Sequence, residues 1–304
     1  MTKLVQKSEI QKILIFSFSH IGDSVLSTAV IPPLKRFFPD ANISLLTGPK
    51  AVSLFENDPR IDRLIIYDTQ KEHKEIRGKL KLAKELHRQK FDLKIDLRDT
   101  FWSRFIGGKR WGMPTLRRHT KNYKKMHAVD RYLDILLSQH VKVVESSPAL
   151  YISEYYKNYA ENLLKENGIA KDDRIAGIHI GGGWSYKLWD IKKYAFIADN
   201  IMKNYKTKVL IFAGPEETFI LDKVQPLMKY PAIIIKDVNL LQLAALIQRC
   251  CLYIGNDTGP MHIAAALGIP VIAIFGPTDS GRSGPYGNKH IIITGHSECS
   301  PCHP

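Results

Sequence analysis

The sequence predicts an α/β protein made of two Rossmann-like units, each with a parallel sheet. Three observations predict it. Short β-branched runs alternate with longer amphipathic stretches, the pattern of strand–helix–strand repeats. That pattern breaks near 150–170 and then starts again. The chain has 304 residues, enough for two domains of about 150 residues each.

In the first series, residues 13–18 read as a continuous apolar strand, and 20–24 as a turn into a helix that stops before Pro39. Residues 43–46 and 64–67 read as the second and third strands. Residues 72–89 set leucines 80, 82 and 86 among many charges, the pattern of a solvated helix, and 93–97 follow as a strand. The second series opens with a helix over 154–167, closed by Gly168 as a C-terminal stop. Strands follow at 175–180, 208–212, 232–235, 252–254 and 271–275, the last clear one. Helices are expected at 191–205, 240–249 and 261–267, with Cys250 and Cys251 continuing the second of these. The predicted units are 1–155 and 156–304. Open parallel sheets bind ligands beyond the carboxyl ends of their strands, so a crevice between the lobes is the expected site.

Composition narrows the function. Hydrophobic residues at 44% and charged residues at 24% exclude a disordered chain, a collagen-like rod and a disulfide-stapled miniprotein. Lys and Arg total 44 against 30 for Asp and Glu, a net charge of +14 that favours anionic partners. Residues 71–125 alone hold 18 basic and 6 acidic residues, so the positive field comes mainly from one segment of the first unit. The most apolar stretch, 261–276, is shorter than the ~20 residues of a membrane span and is broken by Gly268 and Pro270. The basic opening lacks the apolar core of a secretory signal. Cys299 and Cys302 form a single C-x-x-C, too few ligands for a zinc site. A cytoplasmic location with reduced thiols is expected. No RNP, helix-turn-helix or zinc-finger signature accompanies the charge, so no nucleic-acid partner is expected.

Several loops at strand ends carry residues suited to chemistry. In His20-Ile21-Gly22-Asp23-Ser24, the Asp23 carboxylate is placed to act as a general base. Helix capping by Asp23 or Ser24 competes with that reading. Gly181, Gly182 and Gly183 offer consecutive backbone N–H groups for an anion-binding nest, and Lys187 adds a full charge. The run matches neither G-x-G-x-x-G nor a Walker A element, which argues against a dehydrogenase or P-loop ATPase. A flexible surface loop is the alternative. In Gly255-Asn256-Asp257-Thr258-Gly259-Pro260-Met261-His262, Asp257 or Thr258 suits an N-cap and Pro260 the first helical turn. The helix N-terminus would then stabilise a pyrophosphate. His262 is placed to face either ligand or core. Glu216 and Glu217 follow the 208–212 strand, where a carboxylate can accept both ribose hydroxyls or simply open a helix. The loop 275–279 adds backbone and hydroxyl donors. Trp102 and Trp111 suit either sugar stacking, a membrane interface or the core.

Taken in order, the strand-HIGDS opening, the GGG…K-L-W loop, the GPEE loop and NDTGPMHIAAALGIPVIAIFGPT resemble glycosyltransferase family nine, the lipopolysaccharide heptosyltransferases. The likeness spans nearly the whole chain, and its last segment is the most specific. Lys125-Met126-His127-Ala128-Val129-Asp130 is similar to the family's mid-chain histidine-containing helix start. Family members usually run on past the Cys-Ser-Pro-Cys segment into a terminal helix. The resemblance implies the GT-B fold, two Rossmann-like lobes facing across a cleft, with acceptor bound by the first and nucleotide-sugar by the second. It implies Asp23 as catalytic base and Lys187 on the donor phosphates, with Glu216 or Glu217 on the ribose. Asp257, Thr258, Gly259 and His262 would surround the pyrophosphate and sugar. The implied donor is ADP-L-glycero-D-manno-heptose, the transfer inverts the anomeric centre, and no separate cofactor or metal is expected. An anionic, lipid-linked glycan at the inner face of the inner membrane is the implied acceptor. Arg104, Lys109, Arg110, Arg117, Arg118 and Lys121 are the candidates to meet it. The competing readings are a GT-B enzyme or epimerase using a UDP- or GDP-sugar, and a non-catalytic relative that binds an anion or nucleic acid.

Overall fold

A run such as Ile-Leu-Ile-Phe, β-branched at alternate positions and apolar on both faces, is too short for a helix and suits a strand covered on both sides. With Lys12 it forms β1 (Lys12–Phe16) in the computed structural model, which describes residues 9–113, 120–144, 146–214 and 217–295. The chain divides into two compact units, 1–151 and 152–304.

In the first unit β1 is followed by α1 (Ile21–Ser27), a 3₁₀ turn and α2 (Ile31–Phe37). Then come β2 (Asn42–Thr47), β3 (Arg63–Ile66), α3 (Ile76–Arg88), β4 (Leu93–Asp96) and β5 (Lys109–Gly112). The unit closes with α4 (Lys121–Lys125) and α5 (Ala128–Leu137). The sheet order is β3-β2-β1-β4-β5 and every pairing is parallel. Alternate residues of each strand feed opposite faces. Leu14, Phe16 and Leu46 pack with Leu82 and Leu86 of α3 on one side.

In the second unit α6 (Glu154–Glu166) precedes β6 (Ile175–His179), α7 (Ile191–Tyr205), β7 (Lys208–Phe212), α8 (Thr218–Val224) and β8 (Ile233–Ile235). There follow α9 (Leu240–Gln248), β9 (Leu252–Asn256), α10 (Gly259–Ala266), β10 (Val271–Phe275), α11 (Ser280–Ser283) and β11 (Ile291–Thr294). The order is β11-β10-β9-β6-β7-β8, again parallel throughout. Ile178, Val209, Ile211 and Ile254 form one core layer with Tyr194 and Ala198 of α7.

Four local expectations change. The segment 20–24 is already helical: the Ser24 amide donates to the His20 carbonyl at 3.0 Å, so α1 begins at Ile21 and Asp23 lies in its first turn. Cys250 and Cys251 lie beyond α9, whose C-cap is Arg249. Burial of Cys250 raises its thiol pKa. Strand β5 carries two basic residues and a glycine, a poor strand signal, and exists through its pairing with β4. Strand β11, beyond the last strand expected, pairs Ile291 with Ile272 at the sheet edge. No helix among the described residues is long and apolar enough to cross a membrane.

Candidate functional site

Each sheet reverses its winding next to its first strand, between β1 and β4 and between β6 and β9. Loops leaving the carboxyl ends of such strands diverge and leave room for a ligand. The candidate residues of each unit cluster at these ends.

In the second unit, His179 ends β6 and the glycine loop follows. Gly182 donates its N–H to Glu217 Oε1 at 2.5 Å, and Gly214 donates to Glu217 Oε2 at 2.9 Å. One amide of the glycine loop, that of Gly182, is thus satisfied by the chain's own Glu217. A Cβ on Gly181 would collide with Glu217 Oε2, so the carboxylate approaches only because that position is glycine. Gly183 has open space where a Cβ would stand. Glu216 lies outside the described residues.

Beneath Glu217 sits His179, 4% exposed, with Nε2 3.8 Å from Glu217 Oε2. Burial pushes its imidazole pKa down while the nearby carboxylate pulls it up, and burial prevails. Burial thus favours the neutral ring. Its Nδ1 has no hydrogen-bond partner among the described residues.

The loop after β9 joins this cluster. Asn256, fully buried, donates from Nδ2 to the Gly181 carbonyl at 2.9 Å and accepts from the Tyr194 hydroxyl at 2.8 Å. Asp257 Oδ2 accepts from Lys187 Nζ at 2.5 Å and from the Thr278 hydroxyl at 2.8 Å. Lys187 also lies 5.5 Å from the Trp184 ring centre. Thr258 is the N-cap of α10, and its hydroxyl donates to the Asn256 carbonyl at 3.3 Å instead of capping the helix. Gly259 begins α10 and His262 is buried on its first turn. A carboxylate, a lysine and a helix N-terminus thus converge on one edge, an arrangement suited to a charged ligand with polar hydroxyls.

In the first unit, Ser24 and Thr47 both donate to the Phe18 carbonyl, at 2.8 and 2.9 Å, and Ser17 and Ser27 bond at 2.6 Å. These buried bonds pin α1 to the sheet end and hold half-buried Asp23 on its first turn. The capping reading of Asp23 and Ser24 gives way, because His20 is the N-cap and Ser24 points inward. Burial raises the Tyr132 phenol pKa, and the Asp23 charge raises it further. His127 Nδ1 accepts from the Val129 N–H at 3.2 Å as the N-cap of α5.

The basic segment divides by role. Arg110 bonds Asp96 at 2.9 Å and Asp99 at 2.7 Å, so its charge is committed to two carboxylates of its own unit. Arg104 is exposed with its guanidinium 5.6 Å from the Phe101 ring centre, and Lys109 is exposed at the start of β5. Lys121 begins α4, while Arg117 and Arg118 lie outside the described residues. Trp102 packs on Phe16 and Tyr67, at 5.4 and 5.0 Å between ring centres, and Trp111 is buried against Phe38. Both tryptophans are core residues.

The sequence model of glycosyltransferase family 9 (heptosyltransferase) matches residues 79–304. The chain belongs to that family. Lipooligosaccharide heptosyltransferase 2 of Campylobacter jejuni is 29% identical over 310 residues, covering 96% of this chain and 89% of the relative. Lipopolysaccharide heptosyltransferase 3 of Escherichia coli is 26% identical, covering 85% and 80%. Among solved structures, a family 9 glycosyltransferase of Veillonella parvula superposes with a TM-score of 0.85 at 26% identity, over 95% of this chain and 88% of that one. The ADP-heptose lipopolysaccharide heptosyltransferase II of E. coli superposes at 0.77 with 21% identity, over 95% and 92%, a likeness of fold. The protein is a glycosyltransferase with the two Rossmann-like units of the GT-B class.

In this family 9 glycosyltransferase, two site neighbours escaped the sequence reading. The sequence places His179 inside the 175–180 strand and Asn256 in the loop after 252–254, whereas the strands end on these two residues. A polar residue at the carboxyl end of an otherwise apolar strand was the available signal in both.

Proposed function

We propose that this glycosyltransferase moves a heptose from an ADP-linked donor to a lipopolysaccharide inner-core acceptor, with inversion. The reading is carried by the convergence of Gly182, Lys187, Glu217, Asp257 and Thr278 at one end of the second sheet. The relatives' names, heptosyltransferases of lipopolysaccharide and lipooligosaccharide, support the sugar and the acceptor class.

In this reading Glu217 accepts the ribose hydroxyls, and its departure from Gly182 and Gly214 frees two N–H groups for the diphosphate. Lys187 and the first amides of α10 complete that anion site. Asp257, retained by Thr278, lies beside the donor sugar with His262. Asp23 takes the proton of an acceptor hydroxyl as that oxygen attacks the anomeric carbon. The bond from that carbon to the diphosphate oxygen breaks in the same step, and ADP leaves with the electron pair. One displacement inverts the centre. Electrostatic donors of this kind contribute ~10²–10³ each to rate.

The basic segment of the first unit fits an anionic, lipid-linked acceptor reached from the cytoplasmic face of a membrane. A transfer assay with ADP-heptose and a panel of truncated lipopolysaccharide cores tests the proposal. Wild type should transfer and Asp23→Asn should do so ~10²–10⁴-fold more slowly. Thermal-shift titration should favour ADP over UDP and GDP. Preference for UDP or GDP would instead support a different sugar-nucleotide enzyme.

A further inference from the structure

The turn between β4 and β5 exposes what folding ordinarily hides. Phe101 and Phe105 are 68% and 60% exposed, with their rings edge-to-face at 5.5 Å. Helix α3 packs beside this turn and leaves Ile76 and Leu80, one helical turn apart, 73% and 60% exposed. Contiguous exposed apolar side chains mark interaction surfaces.

The turn is held firmly from beneath. Trp102, between the two phenylalanines, packs into the core on Phe16 and Tyr67. Ser103 donates to fully buried Asp96 at 2.6 Å, and buried Lys94 donates to the carbonyls of Ser103 and Ile106. The inward places are thus taken by Trp102, Ser103 and Ile106, and the two phenylalanine rings are presented outward by a fixed backbone.

Charge identifies the occupant. Arg104 lies over the Phe101 ring, and α3 carries five Lys or Arg against one Glu. Outward aromatic and aliphatic side chains within a basic field match the interface of an anionic bilayer. Stacked nucleobases would use the two rings but leave Ile76 and Leu80 unused. The turn follows β4, which pairs with β1, and Asp23 follows β1, so both lie at the carboxyl end of the same sheet.

We infer that Phe101 and Phe105, with Ile76 and Leu80 and flanked by Arg104 and Lys84, form a docking surface for an anionic lipid bilayer. It sets the edge carrying Asp23 at headgroup level. The consequence for catalysis rests on the proposed lipid-linked acceptor; the docking itself does not.

The test is co-sedimentation of the full chain with mixed phosphatidylethanolamine–phosphatidylglycerol vesicles and with pure phosphatidylcholine vesicles. Wild type should partition onto the anionic vesicles, less so in high salt. The double variant Phe101→Ser/Phe105→Ser should lose about tenfold or more of that partitioning, with an unchanged melting temperature and ADP-induced shift. The same variant should keep its rate on a deacylated, water-soluble acceptor and lose it on acceptor embedded in vesicles. Equal binding by wild type and the variant, or no preference of wild type for anionic vesicles, overturns the inference. An equal loss on both acceptor forms also overturns it, assigning the rings to the glycan. If wild type transfers to neither acceptor, the functional reading falls while the vesicle result still decides the docking.

Discussion

Lys187 Nζ and Asp257 Oδ2 lie 2.5 Å apart, joining loops 70 residues distant in the chain, and Thr278 donates to the same carboxylate oxygen. The lysine is 18% and the aspartate 9% exposed, so the pair is shielded from most solvent screening. A ligand diphosphate arriving at Lys187 would share its charge while Thr278 continues to hold Asp257. Lys187→Ala should weaken ADP binding, measured by calorimetry, and lower turnover ~10²–10³. It also leaves Asp257 without its cation, at about 1–3 kcal/mol of stability by urea unfolding.

The glycine loop should respond position by position. Gly181→Ala places a Cβ against Glu217 and should dislodge that carboxylate from the Gly182 and Gly214 amides. Gly183→Ala meets nothing within 4 Å. Melting temperature should fall for the first variant and stay near wild type for the second.

Asp23→Asn keeps the size of the side chain and removes its basicity. Transfer should fall ~10²–10⁴ while ADP affinity, a property of the other unit in our proposal, stays unchanged. Single-turnover assays with ADP-heptose measure the first, calorimetry the second.

His179 makes stability depend on pH. Its folded pKa lies below the ordinary 6.5, so below that pH the unfolded chain binds the proton more readily. Stability should be full above about pH 6.5 and decline as pH falls through the window beneath it. His179→Gln should flatten this slope in melting-temperature profiles. A residual slope is expected from His290, whose pKa burial also lowers.

Arg110 and Asp96 form a structural pair. Asp96 is fully buried and its other donors are the amides of Arg98 and Thr100 and the hydroxyls of Thr100 and Ser103. Arg110→Ala removes the cation from a buried carboxylate and should cost about 3 kcal/mol in urea unfolding. Asp99→Ala removes the outer partner, 20% exposed, and should cost below about 1 kcal/mol.

Both sheets were legible from local pattern, because parallel strands covered on both faces are runs of apolar residues whatever their partners. Residues 191–205, 208–212 and 271–275 have the bounds read from the sequence. Strand β5 was not legible, since Lys109 and Arg110 become strand residues only through pairing with β4. The dual possibilities at Trp102 and Trp111 also stayed open, because stacking on a sugar and stacking on a phenylalanine ask for the same side chain.

By itself the sequence determined the succession of the apolar strands, the family motifs and the loops where chemistry would gather, since turns, caps and periodicity depend on near neighbours. The tertiary structure alone decided which of those loops meet. Parallel strands return their carboxyl ends to one edge, so β6, β7, β9 and β10 bring Gly182, Glu217, Asp257 and Thr278 together from distant positions. It also decided that Arg110 serves the fold and that Phe101 and Phe105 face outward. Those outcomes depend on which buried partner is within reach, and reach is a property of the folded chain.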